Sequence, residues 1–142
     1  MVDQYKEENM NTNVAMQEYR SNHIHGGIET ASPHRLVQML MEGALEKILA
    51  AKGFMSKNEV AKKGEQISWA ISIIDSLRSS LNVEVGGDFA QNLLDLYNYM
   101  ERRLLEANIN NDVAMLDEVG QLLIEIKSGW DAIPAEYHNP AQ

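Results

Sequence analysis

The side chains best suited to chemistry in this chain are four histidines, His23, His25, His34 and His138, set among 21 carboxylates. Histidine titrates near neutral pH and ligates metals, so its spacing bears directly on any catalytic or metal-binding role. His23 and His25 form an H-x-H pair in a polar N-terminal stretch, His34 stands at the start of a helical pattern, and His138 lies in the C-terminal tail. A phosphotransfer bundle needs a histidine exposed in mid-helix, and a di-iron bundle needs Glu-x-x-His on facing helices. Neither pattern occurs; Glu101, for example, is followed three residues later by Leu104. There is no G-x-x-x-x-G-K-[ST] phosphate loop. The absence of cysteine removes thiolate metal sites and disulfides. Acids such as Glu118 and Glu125 read as solvated helix faces. The expectation is therefore no catalysis, no metal and no cofactor.

The elements that would have to position a site are unusually apolar. The stretch Thr30 to Phe54 opens with Ser32-Pro33, a helix-start pair: serine accepts from a free backbone N–H, and proline has none to waste. Leu36, Leu40, Ala44 and Ile48 form one stripe, with Val37 and Leu45 beside it, while Met39 and Met41 widen the apolar surface. Lys52-Gly53 reads as its stop. A second helix is expected from Asn58 or Glu59 to Leu81, with Val60, Ile67, Ala70, Ile71, Ile74, Leu77 and Leu81 as its stripe and Trp69 and Ile73 to one side. Gly86-Gly87 reads as a break. A third helix follows from Asp88 to Ala107-Asn108, carrying Phe89, Leu93, Leu96, Tyr97, Met100 and Leu104. Asn110, Asn111 and Asp112 form a cap-competent turn, and a fourth helix places Leu116, Val119, Leu123, Ile126, Trp130 and Ile133 on one face before Pro134. Four amphipathic helices on short turns imply an all-α, antiparallel up-and-down four-helix bundle. Ile74, Leu93, Leu123 and Ile126 are expected in its core.

The chain of 142 residues suits a single domain. Residues 1–29 read as a flexible segment able to form a short capping helix, 30–133 as the bundle, and 134–142 as a loose tail. A net charge of −9 argues against nucleic acid, which needs a basic surface. No apolar run approaches the ~20 residues of a membrane span. The start MVDQYKEENM lacks signal-peptide character, so no membrane insertion and a cytoplasmic setting are expected. Eight methionines and the surplus apolar stripes suit a surface that adapts to helical partners.

Several local patterns, in order, resemble the flagellin-specific export chaperones of the FliS family. Thr30-Ala31-Ser32-Pro33 is followed by an L-x-x-M-L-[YF]-[DE]-G-A pattern over Leu36 to Ala44, with Met41 where the family usually has an aromatic ring. Lys63-Gly64-Glu65 matches the family's K-G-E segment, and Ala70 to Leu77 its A-I-x-I-I-x-x-L. G-G-[ED]-[IF]-A-x-N-L spans Gly86 to Leu93, and L-Y-x-[YF]-M spans Leu96 to Met100. L-x-x-A-N-x-x-N-D spans Leu104 to Asp112, and I-x-x-x-W spans Ile126 to Trp130. Tyr19 stands where the family has an N-terminal tyrosine.

The resemblance implies a cytoplasmic chaperone that binds the disordered C-terminal segment of flagellin, prevents its premature polymerisation and delivers it to the flagellar export apparatus. The alternative is a structural or self-associating bundle without that client. The lateral stripes are assigned to the client groove: Leu40, Met41, Trp69, Ile73, Leu77, Tyr97 and Met100. Met16 and Tyr19, tethered through Gly26-Gly27, are assigned to an N-terminal lid over it.

Overall fold

The computed structural model describes residues 31–138, and all regular structure among them is helical. The elements are α1 (Pro33–Ser56), α2 (Val60–Ser79), α3 (Val83–Asn110) and α4 (Val113–Asp131), followed by a single 3-10 turn at Ala135–Tyr137. Met16, Tyr19, His23, His25 and the whole of 1–29 lie outside the described residues.

Each helix end has a local cause. Ser32 Oγ accepts from the Arg35 N–H at 3.1 Å, with Pro33 in the first turn. Lys52-Gly53 does not stop α1, contrary to expectation: the helix continues to Ser56, and the left-handed residue is Asn58 at φ 58. The extra turn buries Met55 in the core, which outweighs the ~1 kcal/mol that a mid-helix glycine costs. α3 begins before the glycine pair and not after it. Asn82 Oδ1 accepts from the Val85 N–H at 3.2 Å and starts one helical turn. Gly87, at φ 58 and ψ −138, then breaks the regular spiral before Asp88 resumes it. A Cβ on Gly86 would lie 2.6 Å from the Ala90 Cβ, so the break needs both glycines for different reasons. α3 ends two residues later than the sequence suggests, with Asn111 left-handed at φ 52. Asp112 Oδ1 then accepts from the Ala114 N–H at 2.9 Å to start α4.

Turns of two or three residues join consecutive helices, and α1 packs on α2 and α4 while α3 packs on the same two. That closed ring is the expected antiparallel up-and-down bundle. Its core holds Met41, Ile48 and Met55 from α1, Ile67, Ile74 and Leu77 from α2, Leu93, Tyr97 and Leu104 from α3, and Leu116, Val119 and Leu123 from α4. Ile74, Leu93 and Leu123 are buried as expected; Ile126 is half-buried.

Polar contacts set the register between helices. Arg78 pairs with Asp75 and reaches Glu101 on α3 at 3.3 Å. Lys127 bridges α4 to Glu42 at 3.8 Å, and Gln38 donates to Asp131 at 2.6 Å. Lys63 is the buried exception. Its ammonium donates to the Asn108 carbonyl at 3.0 Å and to Asn111 Oδ1 at 3.1 Å, capping α3 from across the bundle. The K-G-E and A-N-x-x-N-D segments are thus two halves of one contact, and a Cβ on Gly64 would sit 3.7 Å from Asn108 Oδ1.

Candidate functional site

The antiparallel arrangement sets the start of α3 beside the end of α4. Phe89, Leu93 and Leu96 recur there at helical spacing on α3, and Ile126, Trp130 and Ile133 answer them from α4 and the residues after it. They line an open groove of about 550 Å³, completed by Asn92, Glu125 and Gly129. Phe89 is 72% exposed, an unusual state for a ring in a described core stripe. Gly129 adds to the opening, because a Cβ there would meet nothing within 4 Å.

Polar contacts close the groove at one end. Tyr99 donates to Glu118 Oε2 at 2.6 Å, and Arg103 Nε donates to Glu118 Oε1 at 2.7 Å. These hydrogen bonds hold the Glu118 carboxyl below the usual range and draw α3 against α4. At the other end the wall is aromatic. Trp130 Nε1 donates to the His34 carbonyl at 2.9 Å. The His34 ring stacks on Trp130, with centroids 4.9 Å apart, and on His138, 3.6 Å apart. His34 is buried and its Nε2 has no hydrogen-bond partner among the described residues. Burial first, and then His138, lower its pKa against the opposing pull of Asp131. Trp130 and Ile133 also border a second cavity of about 410 Å³ that His34, Leu81, Val85 and Tyr137 help to line. The first residues of α1 therefore lie directly beside the groove.

The expected groove positions fall elsewhere. Leu40, Met41, Ile73, Leu77, Tyr97 and Met100 are buried in the bundle, and burial pushes the Tyr97 hydroxyl up to about 12. Trp69 alone is half-exposed, under the Lys47 ammonium at 5.1 Å from its ring centroid. As packed here, six of the seven present no open stripe. α1 and α2 each pack on two neighbours, so their wide apolar arcs are consumed inside the bundle. The residues that do line an open surface read, in sequence, as core stripes of the third and fourth helices. The signal that reveals them is the pairing of ends: Phe89 just after a glycine break, opposite Trp130 and Ile133 just before a proline.

Among the described residues no group of histidines and carboxylates could hold a metal, and no helix is long and apolar enough to cross a membrane. A helical bundle that leaves an open apolar groove between two of its helices has a surface of the shape and spacing that a further helix would fit. The family model described as "Flagellar protein FliS" matches residues 13–137. The flagellar secretion chaperone FliS of Vibrio cholerae is 46% identical over 125 residues, covering 88% of this chain and 92% of that protein. The flagellar secretion chaperone FliSB of Pseudomonas aeruginosa is 49% identical over 119 residues, covering 84% of this chain and 94% of that protein. The similarity extends to the FliS of Bacillus subtilis, 32% identical over 87% of this chain and 92% of that protein. The chain belongs to the FliS family: it is a flagellar secretion chaperone and not an enzyme.

Proposed function

We propose that the protein binds the C-terminal segment of flagellin as an amphipathic helix in the α3/α4 groove, in the cytoplasm, before export. The observation that carries this reading is the groove itself, in which Phe89, Leu96, Ile126, Trp130 and Ile133 recur at the spacing a helix presents. A segment that is disordered alone and helical when bound loses several kcal/mol to ordering, so it needs a preformed apolar surface. Covering that segment keeps subunits from polymerising, and the complex is then delivered to the export apparatus. Leu93, at the base of the groove, belongs to the same core cluster as Tyr97 and Met100, so those two positions act on the client indirectly, by supporting the core beneath it.

The reading extends to the N-terminal segment. An open apolar groove is a solubility liability without a client. α1 starts beside Trp130, so a segment carrying Met16 and Tyr19 is tethered at the groove's end and meets it at high effective concentration. It serves as a lid that competes with flagellin.

The test is titration of a flagellin C-terminal peptide, read by Trp fluorescence and calorimetry. Phe89→Gln with Leu96→Gln is expected to weaken binding at least tenfold with circular dichroism unchanged, since Phe89 is largely exposed. Deleting residues 1–22 is expected to speed association and to increase aggregation of the free chaperone. Unchanged affinity in the double variant would sink the groove assignment.

A further inference from the structure

We infer that the α3/α4 groove selects a client helix whose apolar face is flanked by lysine or arginine, through an unpaired acidic rim. The inference rests on reading this groove as the client site. Its first support is the distribution of charge. Residues 79–126 carry nine carboxylates against only Arg102 and Arg103, a formal −7 within a chain of −9. The two helices that build the groove thus hold most of the net charge.

Pairing gives the second support. Away from the rim many carboxylates have cations at hand, while, among the described residues, Glu46 on α1 and Glu65 on α2 make no ion pair and line neither the groove nor the cavity beside it. Glu42 meets Arg35, Asp75 and Glu101 meet Arg78, Asp117 meets Lys52, and Asp131 meets Lys127. Arg103 is committed to Glu106 and Glu118. Asp88, Asp95 and Glu125 are exposed and make no ion pair with any described residue. Among the described residues Asp95 accepts from Gln91 Nε2, at 3.1 Å.

Position gives the third. Asp88 and Asp95 each precede a groove residue, Phe89 and Leu96, and stand seven residues apart, about 10 Å along one edge of α3. Glu125 lines the groove from α4. Arg102 lies a further ~10 Å along the helix from Asp95. A bound helix would meet an apolar floor between carboxylates on both sides. Facing cations relieve that self-repulsion, whereas facing anions add to it. Charges at such a rim act mainly on encounter rate and on rejection of wrong partners.

Two synthetic peptides with one identical apolar face, flanked by lysine or by glutamate, provide the probe. The lysine-flanked peptide is expected to bind the full chain at least tenfold tighter in 50 mM salt, on the order of a rim effect that screening removes by 500 mM. Asp95→Asn with Glu125→Gln is expected to lose most of that preference, mainly through a slower association rate. Glu46→Gln with Glu65→Gln makes the same change in net charge on α1 and α2 and is expected to keep it. Equal binding of the two peptides overturns the inference. So does a preference that survives the rim variant, or that both variants lose alike, since it would then come from overall charge. Phe89→Gln with Leu96→Gln separates the two levels. If it abolishes binding while the peptides are not distinguished, the groove stands and the rim falls; if it changes nothing, the groove reading itself falls.

Discussion

Lys63→Met isolates a contact that ties two helices of the bundle. The Lys63 stem is buried, and its ammonium holds the Asn108 carbonyl and Asn111 Oδ1 at 3.0 and 3.1 Å. Methionine keeps most of the apolar stem and deletes the charge. Hydrogen bonds from a charged donor contribute about 1.5–3 kcal/mol, and the loss leaves two acceptors at the α3 terminus without this donor. Replacing a buried charge is harmless only when its partners go too. A loss of about 2–3 kcal/mol is therefore expected, or roughly 10 °C in Tm for a bundle of this size. Urea unfolding followed at 222 nm measures it. Asn111→Gly is the matched partner, because glycine accepts the left-handed φ of 52 while removing the side-chain oxygen. The double variant should lose about 1 kcal/mol less than the two single losses added together, as expected for groups in direct contact. A loss below about 0.5 kcal/mol for Lys63→Met would refute the capping role and leave the K-G-E and A-N-x-x-N-D segments unexplained by each other.

Three further outcomes are expected. Ile73→Asp should abolish the cooperative unfolding transition, because an unpaired carboxylate would enter a position 1% exposed; a folded variant that merely loses peptide would restore Ile73 to the groove. Leu93→Ala should cost about 2–3 kcal/mol, and Leu104→Ala about 3–5, since Leu93 borders the groove and its neighbours can relax into the space. His34 has a lowered folded pKa through burial, so the unfolded chain takes up its proton first as pH falls. Stability linked to His34 is complete above its ordinary value of 6.5 and declines as pH falls from there through the lowered folded value. Thermal melts at pH 7.5 and 5.5 should show a larger drop for the native chain than for His34→Phe, and equal drops would remove His34 from the linkage.

Much of the architecture was legible because local signals and burial agree. The Ser32-Pro33 start appears in the structure where the sequence suggests it, and of the three cap-competent residues Asn110, Asn111 and Asp112 it is Asp112 that caps α4. Disagreements arise where a weak local signal meets a strong tertiary one. Gly53 has the look of a stop, yet Met55 beyond it reaches the core, and one more helical turn wins. Gly86-Gly87 does break the helix, but Asn82 caps a turn upstream that pattern alone assigns to a linker.

The site was less legible than the fold, for a geometric reason. An apolar arc too wide for one neighbour has two outcomes: a second neighbour or an open surface. Periodicity measures the width of the arc and cannot distinguish the two. α1 and α2 carry wide arcs that end inside the bundle, where Met41, Ile73 and Leu77 are almost wholly covered. α3 carries a narrower arc that runs past the region where a neighbour covers it. From Tyr99 to Arg103 the helix is drawn against α4 through Glu118, but toward its start, among the described residues, a groove faces Phe89 and Leu96. The open surface thus depends on where an arc outlasts its covering helix, and that is a property of pairs of helices. The same geometry accounts for the neighbouring charges. A rim meant for solvent alone would tolerate cations as readily as anions, whereas the start of α3 through Met100 holds Glu84, Asp88 and Asp95 and no lysine or arginine. Apolar residues left uncovered beside carboxylates left unpaired are two deficits in one place, and a basic amphipathic helix satisfies both.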